Sequence, residues 1–228
     1  MFICIKKLHN RKNMFQALIF DLDGLLIDSE TLYRKISIKM ADDLGKTLPD
    51  DIWAKQMGRS PIESLEIFRT ELGITNYTAQ ELVDLRNDIM KEAFQNDLQI
   101  MPGAMEIIHA LHGRIRMAIA TGSPRELMEI AISRLGLNGY FEFLLPSDDL
   151  VLGKPDPEIY LRTISALGLS PEECIVLEDS SNGALAGHRA GCYVIAVPSI
   201  YTKYQDFSFA NFIAEDLFDA KVLIEELN

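Results

Sequence analysis

Short apolar runs that end at polar turns recur along this chain, and they restrict its possible folds more than any other feature. The first, Ala17 to Phe20, stops at Asp21-Leu22-Asp23-Gly24. Others are Met117 to Ala120, Phe141 to Leu145, Ile175 to Leu177 and Tyr193 to Val197. Runs this short, apolar throughout rather than at alternate positions, describe strands covered on both faces. The segments between them have helical spacing. Ala104, Ile107, Ile108 and Leu111 share one face, as do Leu127, Ile130, Ala131 and Leu135, so each segment can cover a sheet. Strand and helix in alternation predict an α/β fold: a doubly wound parallel sheet whose ligand site lies beyond the carboxyl ends of its strands.

One interval breaks the rhythm. Residues 28–97 are helical in pattern, carry no strand, and exceed what a single crossover needs. Pro49, Gly58, Pro61 and Gly73 divide this interval into about four helices, and Met101-Pro102-Gly103 marks the return to the main domain. The expected organisation is a core formed by 14–27 and 98–228 with a helical domain, 28–97, inserted into it. Residues 1–13 read as an extension, basic at Lys6, Lys7, Arg11 and Lys12, whose apolar part ends at Ile5 and is too short for an export signal. Asp216 to Leu227 reads as a final amphipathic helix.

The 228 residues carry a formal net charge of −12. A field of that sign opposes binding to nucleic acid or to anionic lipid. It also repels a phosphorylated substrate, so a site for one needs a bound cation or local positive groups. No apolar run is long enough to span a bilayer. Cys4, Cys174 and Cys192 show no zinc-binding spacing and read as structural thiols of a reducing compartment, so a cytoplasmic location is expected.

Four groups of polar residues sit where predicted strands end. Asp21 and Asp23, two apart, face one ligand if strand geometry persists past Phe20; adjacent carboxylates then differ in pKa, leaving one ionised and one able to carry a proton. The plainer reading makes one a turn cap and the other a solvated carboxylate. Thr121-Gly122-Ser123 offers hydroxyls and backbone N–H groups suited to phosphate oxygens, or simply a helix N-cap. Lys154 stands in a loop stiffened by Pro155 and Pro157, placed over an anion or merely at the surface beside a capping Asp156. Glu178 and Asp179 are hard oxygen ligands for Mg²⁺, or again a cap. Four unrelated caps all falling at strand ends would be a coincidence.

These residues, in this order and spacing, resemble the motifs of the haloacid dehalogenase superfamily hydrolases, subfamily I with a helical cap, and the sequence is similar to beta-phosphoglucomutase and to 2-deoxyglucose-6-phosphatase-like sugar phosphatases from Met14 onward. The resemblance implies a Mg²⁺-dependent phosphatase that acts, as a monomer, on a small phosphorylated metabolite. It makes Asp21 the nucleophile, giving an aspartyl-phosphate, and Asp23 the general acid and base. Asp21, the backbone carbonyl of Asp23 and Asp179 become metal ligands, with Glu178 acting through water. Thr121, the N–H groups near Gly122 and Ser123, and Lys154 stabilise the phosphoryl oxygens, and Lys154 also pairs with Asp21. Leu25 and Leu26 correspond to a mobile flap, and Arg59 of Gly58-Arg59-Ser60 is the candidate substrate contact, against the alternative of a solvated helix-end arginine.

Beta-phosphoglucomutases carry histidine where Tyr33 stands and arginine near Pro61, so hydrolysis is favoured over phosphate return to a sugar. Dehalogenation, which needs no metal and lacks a second aspartate, fits less well. A non-catalytic phosphometabolite-binding protein on this scaffold is the third reading. His109, His112 and His188 fall on helices away from the strand ends, and Trp53 reads as core.

Overall fold

The computed structural model describes residues 15–57 and 59–227, so the expected extension and Cys4 lie outside the described residues. The apolar runs form strands β1 (Ala17–Phe20), β2 (Arg116–Ala120), β3 (Phe143–Leu145), β4 (Cys174–Glu178) and β5 (Tyr193–Ala196). A sixth, β6 (Phe212–Ile213), was not expected; two residues carry no periodic signal, and Ile213 is exposed. All pairings are parallel, in the order β3-β2-β1-β4-β5-β6. Phe141 stops short of β3 and instead meets Phe20 edge-on, with ring centroids 6.0 Å apart.

Side-chain alternation along each strand divides the core between the two faces of the sheet. Leu18 and Phe20 of β1 join Ile175 and Leu177 of β4 on one face; Ala17 and Ile19 join Cys174 and Val176 on the other. Helices α5 (Ala104–Leu111), α6 (Arg125–Arg134) and α9 (Leu217–Leu227) cover the first face, and α7 (Glu158–Leu167) and α8 (Ser181–Ala190) the second. Cys174 and Cys192 are free and buried, and burial pushes both thiols up to about 12, which leaves them inert as expected of structural thiols.

The interval after β1 holds α1 (Ser29–Asp43), α2 (Asp50–Gln56), α3 (Pro61–Glu71) and α4 (Ala79–Asn96). Capping boxes start two of these: Ser60 with Glu63 for α3, and Thr78 with Glu81 for α4. The two chain segments that join this bundle to the sheet run side by side. Asp28 N–H donates to the Gln99 carbonyl and Met101 N–H to that of Leu26, with Ile27 bridging Ile100. The join also makes polar contacts, among them Lys91 to Glu126 at 2.8 Å. No helix among the described residues is long and apolar enough to cross a membrane.

One apolar cluster runs from Leu18 and Phe20 in the sheet through Leu32 and Met40 to Phe68 and Phe94 in the helices. Trp53, the single tryptophan, lies in α2 and is only half-buried, with its indole N–H enclosed and unpaired. Because the cluster is continuous, urea unfolding followed by Trp53 fluorescence and by far-ultraviolet circular dichroism should coincide. Phe68→Ala should lower both midpoints together, by roughly 3–5 kcal/mol of stability, since it empties a fully enclosed site. A split between the two probes would show that the helices unfold separately from the sheet.

Candidate active site

β1 lies at the centre of the sheet, and the chain leaves it toward β2 on one side and returns as β4 on the other. Such a reversal opens a crevice at the carboxyl ends of the strands. Asp21 occupies it directly: its N–H still donates to the Leu177 carbonyl, so the residue continues the β1 direction against β4. The following turn is tight, closed by Gly24 N–H to the Ile27 carbonyl. Gly24 has φ +77°, and a Cβ there would stand 2.5 Å from an Asp179 oxygen, so only glycine lets the turn pass that carboxylate. Leu25 and Leu26, expected in a flap, are packed into the core.

Asp21, Glu178 and Asp179, all buried, bring one carboxylate oxygen each to within 4.8 Å of one another. Lys154 enters among them from the loop before α7. Its ammonium donates to Asp21 Oδ1 at 2.5 Å, Glu178 Oε1 at 2.5 Å and the Ala120 carbonyl at 3.2 Å, which uses its three hydrogens. Glu178 is fully enclosed and fully engaged: Oε1 also accepts from the Tyr160 hydroxyl at 2.5 Å, and Oε2 from the Ser180 hydroxyl at 3.0 Å and N–H at 3.3 Å. A Cβ at Gly183 would lie 1.9 Å from Glu178 Oε1, so the start of α8 is shaped around this carboxylate.

The charges are out of balance, with three carboxyl groups around one ammonium. Burial pushes Asp21 up to about 8 despite the opposing pull of Lys154, with Glu178 and Asp23 adding to the rise. Burial likewise holds Asp179 well above the carboxylate range. Burial would lower Lys154, but Asp21 and Glu178 more than offset it and keep the ammonium charged. Tyr160 stays protonated because burial and Glu178 both oppose its ionisation. Buried anions short of counter-charge, with hard oxygen donors only, fit a small divalent cation. Asp179 makes no hydrogen bond among the described residues, so its carboxylate is open to such a cation beside Asp21, whose Oδ2 is likewise without a hydrogen bond among them.

Asp23 leaves the turn on the other side of the crevice. Its Oδ2 accepts from Thr121 Oγ1 at 2.8 Å and from Ser123 Oγ at 2.7 Å, while its Oδ1 is buried without a partner. The sequence reading places Thr121 and the N–H groups near Gly122 and Ser123 on phosphate oxygens. Both hydroxyls are turned onto Asp23, and the Ser123 N–H is spent on Thr121 Oγ1 at 2.9 Å. Gly122 between them is exposed.

Arg59 is not among the side chains gathered here. It is exposed in the turn between α2 and α3, and its Nε donates to the Lys55 carbonyl of α2 at 2.9 Å. Four residues near the crevice were not singled out from the sequence for a place in the site: Tyr160, Glu30, Tyr33 as a contact, and Arg86. The only sequence signal for Tyr160 is its position on the inner face of α7, soon after Lys154, and for Arg86 a charge on the buried stripe of α4 with Val83 and Met90. His109 bonds Tyr140, His112 packs edge-on against the same ring and His188 lies near Phe209, so none of these three reaches the crevice.

Among known proteins, residues 15–191 match the family described as haloacid dehalogenase-like hydrolase. The chain is 35% identical to the phosphorylated carbohydrates phosphatase of Thermotoga maritima over 178 residues, covering 77% of this chain and 82% of that protein. It is 28% identical to the fructose-1-phosphate phosphatase YqaB of Escherichia coli, covering 80% and 96%. A crystal structure of beta-phosphoglucomutase from Clostridium difficile superimposes with a TM-score of 0.74 over 94% of this chain and 97% of that one, at 23% identity, and so shares the fold. With the parallel sheet and the carboxylate cluster at its reversal point, these matches show that the chain belongs to the haloacid dehalogenase-like hydrolases.

Proposed function

We propose that this protein is a Mg²⁺-dependent phosphatase that cleaves small phosphomonoesters, sugar phosphates foremost, through a phosphate ester formed on Asp21. The observation that carries this reading is the buried cluster in which Asp21, still aligned with β1, keeps one oxygen free while Lys154 holds the other at 2.5 Å. A free carboxylate oxygen at a strand end, fixed on its far side, is a nucleophile already oriented for in-line attack. The relatives named for phosphorylated carbohydrates and fructose 1-phosphate support the substrate class.

The metal would be held by Asp21 and Asp179, with Glu178 behind them, since both Glu178 oxygens are occupied by Lys154, Tyr160 and Ser180. Bound there, it supplies positive charge between the nucleophile and the phosphate dianion. In the first step Asp21 Oδ2 forms a bond to phosphorus and the ester oxygen departs, taking a proton from Asp23. In the second, Asp23 takes a proton from water, the water oxygen bonds phosphorus, and the Asp21 oxygen is released. Thr121 and Ser123 fix Asp23 through Oδ2, so the unpartnered Oδ1 is the atom that exchanges the proton. Helices α1 to α4 act as the cap that covers the crevice during these steps.

A mutase returns phosphate to a sugar, whereas this site presents Tyr33 where those enzymes have histidine. Burial pushes the Tyr33 hydroxyl up to about 12, so it does not trade protons at neutral pH. Phosphate release from a panel of phosphomonoesters should therefore require Mg²⁺, stop with EDTA, and fall at least about a thousandfold in Asp21→Asn. Isomer interconversion of a hexose phosphate without phosphate release would overturn the hydrolase reading. Tyr160→Phe removes one donor from Glu178 and should reduce turnover by roughly tenfold, with a higher Mg²⁺ concentration needed for half-maximal rate. An unchanged metal requirement would separate Tyr160 from the metal site.

A further inference from the structure

The loop that carries Lys154 is poorly anchored by apolar packing. Val151 and Leu152, shortly before the lysine, are 86% and 54% exposed, and a Cβ at Gly153 would meet nothing within 4 Å. The Lys154 side chain is only 13% exposed, because its ammonium reaches inward to Asp21, Glu178 and the Ala120 carbonyl. A lysine is a point charge on a flexible four-carbon stem, so its aim depends on how firmly its backbone is fixed.

Hydrogen bonds fix it, and they come from two helices. Glu158, in the first turn of α7, turns its carboxylate back onto the loop. Its Oε2 accepts from the Leu152 N–H at 2.7 Å and the Val151 N–H at 3.1 Å, and Oε1 lies 3.1 Å from the same Val151 nitrogen. These two N–H groups hold the Glu158 carboxyl below the usual carboxylate range. Arg162, one turn on, donates to Glu158 Oε1 at 3.2 Å and to the Asp149 carbonyl at the start of the loop. From the other side, Arg189 of α8 donates to the Pro155 carbonyl at 2.9 Å. Gly183 of the same helix lies against Glu178, so α8 borders an acceptor of the ammonium and also holds the backbone just past the lysine.

A carboxylate at a helix start ordinarily serves the N–H groups or the dipole of that helix. Glu158 instead directs its oxygens to residues six and seven positions earlier, on the far side of Lys154 in sequence. We propose that Glu158 is a positioning residue for Lys154, with Arg189 its counterpart: the two clamp the backbone on either side of the lysine and so hold its ammonium on Asp21 and Glu178. The effect on turnover rests on the phosphatase reading above, whereas the clamp itself can be measured without any ester.

The test compares the parent with Glu158→Ala, Glu158→Gln and Arg189→Met, each first shown to be folded by thermal unfolding. Two quantities are read: kcat and KM on p-nitrophenyl phosphate at saturating Mg²⁺, and the rate at which acetic anhydride acylates Lys154, mapped by mass spectrometry with exposed Lys39 as internal reference. In Glu158→Ala, acylation of Lys154 relative to Lys39 should rise at least about fivefold, and kcat should fall at least about tenfold with a smaller change in KM. Glu158→Gln keeps an oxygen able to accept from both N–H groups and should recover most of both effects. Arg189 is exposed, so Arg189→Met leaves the core intact. It should move both readouts in the same direction by about threefold, and it decides the matter if Glu158→Ala does not fold. Unchanged acylation of Lys154 in the folded variants would overturn the clamp. Equal losses in Glu158→Gln and Glu158→Ala would also overturn it, by assigning the effect to negative charge at the start of α7. Raised acylation with kcat unchanged would overturn its part in turnover. Raised acylation in a protein whose parent releases no phosphate from any ester would leave the clamp standing and overturn the phosphatase reading instead.

Discussion

The contact of the Lys154 ammonium with Asp21 and Glu178, each at 2.5 Å, is what permits three carboxyl groups to meet inside this fold. Without a cation at that point, burial would drive protons onto the carboxylates, and Asp21 is held near 8 even with it. Much of the surrounding structure serves this contact. The Ala120 carbonyl at the end of β2 takes the third ammonium hydrogen, Tyr160 and Ser180 complete Glu178, and Gly183 keeps α8 clear of it. One lysine thus ties the loop before α7 to the ends of β1, β2 and β4.

The same arrangement places two aspartates separated by one residue in different surroundings. Asp21 follows the strand and is governed by charge; Asp23 has left it and is governed by hydroxyls. Thr121 and Ser123 donate to Asp23, and neither brings a charge to it. Hydroxyl donors suit the proton-transfer role proposed for Asp23, because they can stay in place whether a carboxyl group is ionised or not. An ammonium at the same position would favour the anion too strongly. The surplus negative charge on the Asp21 side is what a divalent cation would neutralise, in keeping with a protein whose overall charge of −12 would otherwise repel phosphate.

The helices between β1 and α5 contribute a second polar surface built on different physics. They share an apolar cluster with the sheet, and their two connections pair as short antiparallel segments through Ile27 and Ile100. That geometry carries Glu30 and Tyr33 of α1 to the edge of the crevice beside Asp23, with Arg86 of α4 stacked on Tyr33.

The sequence by itself determined the strand order of events: which runs are strands, where they stop, and that Asp21, Thr121, Lys154 and Glu178-Asp179 stand at the stops. Those features follow from local periodicity and from turn residues, which act over a few positions. It also marked the helical interval, through Pro49, Gly58, Pro61 and Gly73. It missed β6, which is too short to have a period. What only the tertiary structure decided is which atoms meet. Whether Thr121 faces phosphate or Asp23, whether Tyr160 points to Glu178, and whether Arg59 or Arg86 stands near the crevice depend on side-chain rotamers and helix rotation. Those are fixed by packing between residues as distant as Asp23 and Ser123, and no local pattern encodes them.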